Sequence, residues 1–428
     1  MIKTRLSLLV LSLLIGSTGF AQKMYIQCGK LIDGVAASPR SNVTLVVENK
    51  TITAIQDGFT SGSAADKIID LKNKTVLPGL IDCHVHLESQ YSKTSFQEGF
   101  TLTDADIAYR AAVNAKVTLL AGFTTVRDLG GSGVNIALRN AVNRGLTDGP
   151  YILTAGNAIS ATGGHMDESV GIRPDKLSKI PGPEDGVANG KEELVKAVRY
   201  QFKKGADVIK IASTGGVLDL SKDGSGAQFT VDEIKAVVET AKDYGMAVAC
   251  HAHGAEGIRR AILGGVTSIE HGTYMDDDDI ALAKKYGTWF VPTIIAGKSV
   301  ADSAKIPGFF PAVVAKKAME VGPRIQGTFA KAYKAGVKIA FGTDAGVYAH
   351  GKNAIEFQYM TEAGMPAMEA IQCATSRAAD LLGIKEERGS IATGKMADII
   401  AVDGDPLENV KLLTQVSFVM KEGKIYKQ

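Results

Sequence analysis

Several classes of protein are excluded by what this 428-residue sequence has little of. Its four cysteines show no paired spacing, so no disulfide framework is expected. It has 48 Lys and Arg against 46 Asp and Glu. That balance provides neither the basic stripe of a nucleic-acid-binding protein nor the polybasic patch of a membrane-surface protein. No G-x-S-x-G motif marks a nucleophilic serine, and no Gly-rich loop marks a dinucleotide or phosphate site.

Long apolar runs are also scarce, and the one that stands out lies at the N-terminus. Two basic residues precede the apolar run 6–15, and Gly19 and Ala21 occupy the −3 and −1 positions of a cleavage site. This pattern predicts a signal peptide over residues 1–21 and an exported protein, periplasmic or secreted. An uncleaved anchor is the alternative, but the run is too short to span a bilayer. We therefore expect no stable membrane anchor after cleavage.

The two ends of the remaining chain differ from its middle in their pattern of apolar residues. Residues 22–75 and 386–428 carry short alternating apolar runs separated by turn residues, which predicts one β-sandwich domain built from both ends. Residues 76–385 alternate apolar strands with amphipathic helices. Eight such strands, each followed by a helix, predict an α/β fold of the (β/α)8 TIM-barrel type. An open doubly wound sheet is the alternative, although the Gly-rich loop typical of it is missing.

Six of the seven histidines lie at or just beyond the ends of predicted strands, where a barrel has its active site. His84 and His86 lie two residues apart on the first strand, so both side chains point to one face and could bind one metal ion. Packed or surface histidines are the alternative. Lys210 points inward on the apolar fourth strand, which is costly unless the amine is paired or neutral. A salt bridge there competes with a neutral amine carboxylated by carbon dioxide.

The fifth, sixth and eighth strands add further candidate ligands. His251 is nearer the body of its strand than His253, so we take His251 as the ligand and place His253 near the substrate. His271 and Asp344 end the sixth and eighth strands. Inward histidines, a lysine and an aspartate at the mouths of five strands are together typical of a metal site.

The chain resembles the amidohydrolase superfamily, and within it the imidazolonepropionase-related branch that includes Xaa-Pro dipeptidases, in the ordered motifs LPGLIDCHVHL, GFTTVRD, GADVIKIASTGG, HAHG, IEHG, FGTDAG and ATSRAADLLGIKEERGSIATGKMADIIAVDGDP. The resemblance covers nearly all of the sequence after the signal peptide. It implies two divalent metal ions, with zinc expected. The more buried ion would bind His84, His86 and Asp344. The second would bind His251 and His271, and carboxylated Lys210 would bridge the two.

The resemblance also implies hydrolysis of an amide bond by a hydroxide shared between the two ions, since metal binding lowers the pKa of water to about 7. Asp344 would take up the proton and deliver it to the leaving amine, which makes it the catalytic residue. The expected substrate is a dipeptide or an N-acyl amino acid with a free carboxylate. A cyclic amide or lactone hydrolase is the alternative, and a non-catalytic exported metal-binding protein is a third reading.

Loops after the strands are expected to select the substrate. His165, in SATGGHMDE, is a candidate ligand of the substrate oxyanion or carboxylate, and a histidine that stabilises its own turn is the alternative. Tyr91, in the loop after the first strand, is a candidate hydrogen-bond donor. Arg127, beside Asp128, is expected to form an ion pair that stabilises the barrel. The expected partner is thus a small-molecule or dipeptide-like substrate and not nucleic acid, with a homo-oligomer left open.

Overall fold

The computed structural model describes residues 22–221 and 224–428, so the predicted signal peptide lies outside the described residues. Within those ranges the chain forms fourteen strands and twelve α-helices. The strands are β1 Lys23–Leu31, β2 Arg40–Glu48, β3 Thr51–Asp57, β4 Lys67–Pro78, β5 Leu80–Val85, β6 Phe123–Asp128, β7 Tyr151–Thr154, β8 Ile209–Ala212, β9 Val248–Ala252, β10 Ser268–His271, β11 Trp289–Val291, β12 Ile399–Asp403, β13 Phe418–Lys421 and β14 Lys424–Lys427.

The helices lie mainly between the central strands, as the alternating pattern predicts. They are α1 Ser95–Thr101, α2 Asp104–Leu120, α3 Val134–Asn143, α4 Gly190–Lys204, α5 Val231–Asp243, α6 Ala255–Gly264, α7 Asp277–Tyr286, α8 Ile294–Ala304, α9 Ala312–Ala335, α10 Ile355–Glu362, α11 Ala367–Cys373 and α12 Ser376–Leu381. In the described part of the chain, none of them combines the length and the apolar character needed to cross a membrane.

Helix α5 illustrates why these segments are helical. The Thr230 side chain accepts a hydrogen bond from the Glu233 backbone N–H, and the Glu233 carboxylate accepts one from the Thr230 N–H, which forms a capping box. Ile234, Val237 and Ala241 recur at helical spacing and are buried. Capping therefore begins the helix, and burial of this apolar face holds it against the strands.

Both chain ends contribute to a single seven-stranded sheet, in the order β14-β13-β12-β4-β1-β2-β3. The composite β-structure predicted from the two ends is therefore present, but it is one continuous sheet in place of the two sheets of a sandwich. The sheet is curled, since the turn between β2 and β3 reaches its other end: Lys50 Nζ lies 3.0 Å from Glu422 Oε2 in the β13–β14 turn, and the Lys50 carbonyl accepts from the Ala397 N–H before β12. A common apolar core fills its inner face.

The central region has an α/β fold with two parallel sheets, β5-β6-β7 and β8-β9-β10-β11. The eighth predicted strand is not a regular strand. Instead, single parallel bridges join Ile339 to Phe290 of β11 and Ala345 to Val85 of β5. Asp344 has a φ of 58°, which is incompatible with extended backbone and explains why no continuous ladder forms there. A third bridge joins Ile159, after β7, to Ile211 of β8.

Candidate metal centre and active site

Three predicted ligands come together at the carboxyl end of β5. His84 Nε2 lies 3.5 Å and His86 Nε2 3.3 Å from Asp344 Oδ1. One ligand atom of each residue lies within 4.8 Å of those of the other two. Among the described residues, this is the one group of three or more His, Cys, Asp or Glu side chains that is close enough to hold an ion. The two-residue period of a strand thus places both histidines on one face, as predicted.

Lys210 joins this group from β8. Its side chain is fully buried, and its Nζ lies 3.3 Å from His84 Nε2. Burial lowers the pKa of the ammonium to about 8, although the charges of Glu270 and Asp344 oppose the shift. The predicted inward orientation is therefore present, and the amine lies beside the candidate metal ligands without a salt bridge to any described residue.

Three more histidines complete the cluster from β9, its C-terminal extension and β10. The ring centroid of His251 lies 4.7 Å from that of His271 and 4.8 Å from that of His253. His271 in turn lies 5.0 Å from His84, which connects this group to the first. All the histidines that we predicted as ligands therefore lie within one contiguous site.

The free nitrogens of these rings fit a metal centre. His86 Nδ1 lies 2.9 Å from the Gly130 carbonyl oxygen, so it carries the proton and leaves Nε2 as a lone-pair donor. His271 Nδ1 lies 2.8 Å from Thr293 Oγ1, so its Nε2 is the ring nitrogen left for a further partner. His251 Nδ1 is buried, and no described residue provides it with a hydrogen-bond partner. Because buried polar atoms are normally paired, this nitrogen indicates a missing ligand.

Backbone strain is concentrated at the same place. His271, Thr293 and Asp344 have φ values of 71°, 50° and 58°, in the left-handed region that non-glycine residues rarely adopt. Two of them are proposed metal ligands, and Thr293 contacts one of these ligands. Strained conformations persist where the surroundings enforce them, and they are common at functional sites.

The electrostatics of the site keep Asp344 ionised. Burial opposes its charge, but His84 and His86 outweigh burial and hold the pKa of Asp344 below its usual value. Burial also lowers the pKa of His84 to about 4, so this ring is neutral at pH 7. An ionised carboxylate and neutral imidazoles are the forms that bind a metal ion.

A buried ion pair that the sequence did not reveal supports His84 from behind. Glu270 Oε2 lies 2.9 Å from His84 Nδ1, and Glu270 Oε1 lies 2.8 Å from Arg127 Nη2. The partner of Arg127 is thus Glu270 and not its neighbour Asp128. Arg127 and His84 help lower the pKa of Glu270 to about 2 despite burial, so the carboxylate can only accept. It therefore fixes the His84 proton on Nδ1 and directs Nε2 into the site.

His165 is held beside the cluster by a second network. Its ring centroid lies 4.2 Å from that of His251, and its Nδ1 lies 2.7 Å from Asp219 Oδ2. Lys317 Nζ lies 2.7 Å from the other carboxylate oxygen of Asp219. Burial opposes ionisation of Asp219, but His165 and Lys317 hold its pKa well below its usual range. Neither Asp219 nor Lys317 stands in a motif, so sequence reasoning missed both.

Of the two remaining residues predicted to bind substrate, His253 lies in the histidine cluster and Tyr91 does not. His253 is buried next to His271, and its Nδ1 lies 2.8 Å from Thr273 Oγ1. Tyr91 does not line the cavity described below. Its ring instead packs against Phe310 at a centroid distance of 5.4 Å. The role of Tyr91 as a substrate donor therefore gains no support from its position and stays a prediction.

A cavity of about 200 Å³ opens directly onto the cluster. Its polar end is lined by His84, His86, His165, His251, His253, His271, Thr293 and Asp344. This volume is below the ~300–1,000 Å³ of typical drug-sized pockets, so it suits a small substrate. The arrangement can hold divalent ions beside a bound small molecule.

Comparison with known proteins agrees with this geometry. The sequence profile of the Amidohydrolase family matches residues 75–426. Ochratoxinase from Aspergillus niger is 33% identical over 443 aligned positions, covering 97% of this chain and 89% of that protein. A Xaa-Pro dipeptidase structure with methionine bound in its active site is 50% identical, with a TM-score of 0.93, covering 95% of this chain and 100% of that one. A prolidase complexed with N-methylphosphonate-L-proline is 30% identical, with a TM-score of 0.87, covering 95% and 100%.

The profile spans most of the chain, and the relatives match it over nearly their whole lengths. The predicted resemblance to this family, and the prediction of a hydrolase that acts on C–N bonds, are thereby confirmed. The chain belongs to the amidohydrolase family and is an enzyme.

Proposed function

We propose that this enzyme is a binuclear metal-dependent hydrolase that cleaves the amide bond of dipeptides or N-acyl amino acids with a free carboxylate. One observation carries the proposal: His84, His86 and Asp344 converge in a cavity of substrate size, with Lys210 beside them. The similarity to a Xaa-Pro dipeptidase and a prolidase supports a dipeptide-like substrate. The methionine held by the first of these shows that a related site accepts a free amino acid.

The proposal assigns the metal ligands as the resemblance implies, and the positions of these residues support it. His84, His86 and Asp344 would hold one divalent ion, and His251 and His271 would hold a second. Lys210, carboxylated on Nζ, would bridge them, since its buried amine lies beside His84. Zinc is the expected ion for histidine and carboxylate ligands. When bound, such ions lower the pKa of water and polarise a carbonyl oxygen.

The side chains of the protein move the proton and orient the substrate. Asp344, held ionised by its histidine neighbours, accepts a proton from the attacking water and passes it to the leaving nitrogen as the C–N bond breaks. His165, oriented by Asp219, faces the same cavity and can donate a hydrogen bond to the substrate carboxylate or oxyanion.

The proposal extends to the architecture and location of the enzyme. Single bridges join Ile159, which follows β7, to β8, β11 to Ile339, and Ala345 to β5. We infer from these contacts that the two parallel sheets close into a (β/α)8 barrel around the site. Export of the enzyme follows from residues 1–21 and can be checked by cell fractionation and N-terminal sequencing of the mature protein.

A hydrolysis screen tests the function. Purified mature protein is incubated with Xaa-Xaa dipeptides and N-acyl amino acids, with and without a chelator. We expect chelator-sensitive release of a C-terminal amino acid and, in Asp344→Asn, loss of most turnover with the fold retained. If the library stays uncleaved while two metal ions remain bound per chain, the function shifts to hydrolysis of cyclic amides or lactones. Near-normal turnover of the Asp344 variant would remove this residue from its proposed role.

A further inference from the structure

The cavity has a second, apolar end that the chemistry described above does not use. Its wall is formed by Ala296, Gly297 and Val300 of α8 together with Val321 and Ile325 of α9. Residues 296, 297 and 300 lie on one face of α8, and residues 321 and 325 lie one turn apart on α9. The two helices thus present a continuous apolar surface to whatever occupies the cavity.

Close approach of the two helices keeps this surface intact. A Cβ atom at Gly322 would lie 2.4 Å from the Ala301 Cβ and 2.9 Å from the Gly297 carbonyl oxygen. A Cβ atom at Gly297 would lie 2.9 Å from the Ile325 side chain. The helices therefore pack in direct contact, and the wall is a rigid surface of defined shape and not a loop that could adapt to any ligand.

The small number of charged residues in the lining also favours an apolar substrate side chain. Among the described residues that line the cavity, Asp344 is the one carboxylate, and no lysine or arginine is present. The ammonium of Lys317 is already paired, because its Nζ lies 2.7 Å from Asp219 Oδ1 and 2.7 Å from the Gly216 carbonyl oxygen. A charged substrate side chain placed against α8 and α9 would be buried without a partner, which is strongly unfavourable.

We propose that this wall is the specificity subsite of the enzyme and that it selects substrates with a large apolar side chain, such as Leu, Met or Phe, next to the scissile bond. This inference rests on the proposed function, because it assigns the substrate class of the same site. Val300 sets the polarity of the subsite, and Ala296 sets its depth. Small side chains are disfavoured because they leave the cavity unfilled. Charged side chains are disfavoured because they find no partner there.

The experiment measures kcat/KM of the metal-loaded enzyme for two dipeptide series, Xaa-Ala and Ala-Xaa, with Xaa as Ala, Met, Phe, Lys or Asp. In one series we expect Met and Phe to exceed Lys and Asp by about 100-fold. Val300→Asp should lower the Met-to-Lys ratio at least about 10-fold. Ala296→Leu should lower the ratio of Phe to Ala substrates by a similar factor. Val113→Asp, the same change at an exposed site on α2, should leave all ratios unchanged.

The ratio of kcat/KM values for two substrates, measured on one preparation, does not change if part of the enzyme is unfolded, because both values fall by the same factor. A wild-type enzyme that cleaves Lys and Met substrates equally, or variants whose ratios do not move, would overturn the inference. If no dipeptide is cleaved, the proposed function fails, and binding provides the separate readout. In that case calorimetry on the metal-loaded protein should still show tighter binding of L-methionine than of L-lysine, and the reverse order would overturn the subsite assignment.

Discussion

At the scale of single residues, Glu270 shows how a buried acidic group can orient a proposed metal ligand. It lies in β10 directly before His271, but its side chain contacts His84 and Arg127, which come from two other strands. A histidine whose second nitrogen is held by a carboxylate is a more basic and better oriented ligand. The ion pair between Glu270 and Arg127 also stabilises the charge of Arg127, which is almost fully buried.

We predict that Glu270→Gln weakens metal binding about 10- to 100-fold, because a neutral amide neither fixes the His84 tautomer nor neutralises Arg127. Metal titration followed by calorimetry measures the affinity, and excess metal should restore part of the turnover. Glu369→Gln is the matched control, since Glu369 also pairs with an arginine, Arg377, but at a partly exposed site. Wild-type metal affinity in Glu270→Gln would contradict the assigned role.

The position of His165 depends on Asp219 in a comparable way. We predict that Asp219→Asn lowers kcat/KM about 100-fold, because the His165 ring loses the carboxylate that orients it. In a His165→Ala background the same change should have little further effect. Steady-state kinetics of both single variants and the double variant measure this non-additivity. Additive losses would mean that Asp219 stabilises the loop and does not act through His165.

At the scale of secondary-structure elements, the site depends on how closely helices and strand ends can approach. Helix α9 passes α8 at Gly322, where no side chain would fit, and the two helices together form the apolar wall. Helix α8 is in turn fixed at its start by Glu356 of α10, which accepts hydrogen bonds from the Ile294 and Ile295 N–H groups. A chain of contacts thus connects three helices to the histidine cluster.

We predict that Gly322→Ala destabilises the protein by about 1–3 kcal/mol, because its Cβ atom would overlap the α8 backbone and Ala301. Gly327→Ala, on the same helix but with no atom within 4 Å of the added Cβ, should be neutral or stabilise by about 0.5–1 kcal/mol. Urea unfolding followed by circular dichroism measures both. Equal stability of the two variants would show that α8 and α9 can separate without loss.

At the scale of the whole molecule, stability is coupled to pH through buried carboxyl groups. Burial raises the pKa of Glu356 from 4.5 to about 8, so the folded protein retains this proton where the unfolded chain has lost it. The folded state then binds more protons than the unfolded state, and the free energy of unfolding falls as pH rises between those values. The slope reaches at most about 1.4 kcal/mol per pH unit for one group.

We predict that Glu356→Gln flattens this slope between pH 5 and 8, because glutamine does not titrate. Urea unfolding of the chelator-treated protein at three pH values measures it. Glu362→Gln, an exposed position on the same helix, should retain the wild-type slope. Asp82, whose pKa burial raises to about 7, contributes to the slope that remains. An unchanged slope in Glu356→Gln would show that this group titrates as in water.

The sequence by itself predicted the α/β class of fold, the family and a set of candidate metal ligands that the structure brings together. Strand periodicity places His84 and His86 on one face, and the ends of parallel strands collect His251, His271 and Asp344 at one site. These features depend on local pattern and on a general rule of architecture. The single curled sheet and the irregular eighth segment departed from the prediction because pairing between distant strands and the positive φ of Asp344 cannot be read from local sequence pattern.

Only the tertiary structure revealed which residues contact the candidate ligands and which line the proposed subsite. Glu270, Asp219 and Lys317 act through partners far away in sequence, so no spacing could reveal them. The contact of Tyr91 with Phe310 likewise depends on the course of its loop, which composition does not specify. Local patterns determine which chemistry a chain can carry, while the packing of distant segments determines the shape and charge of the space in which it acts.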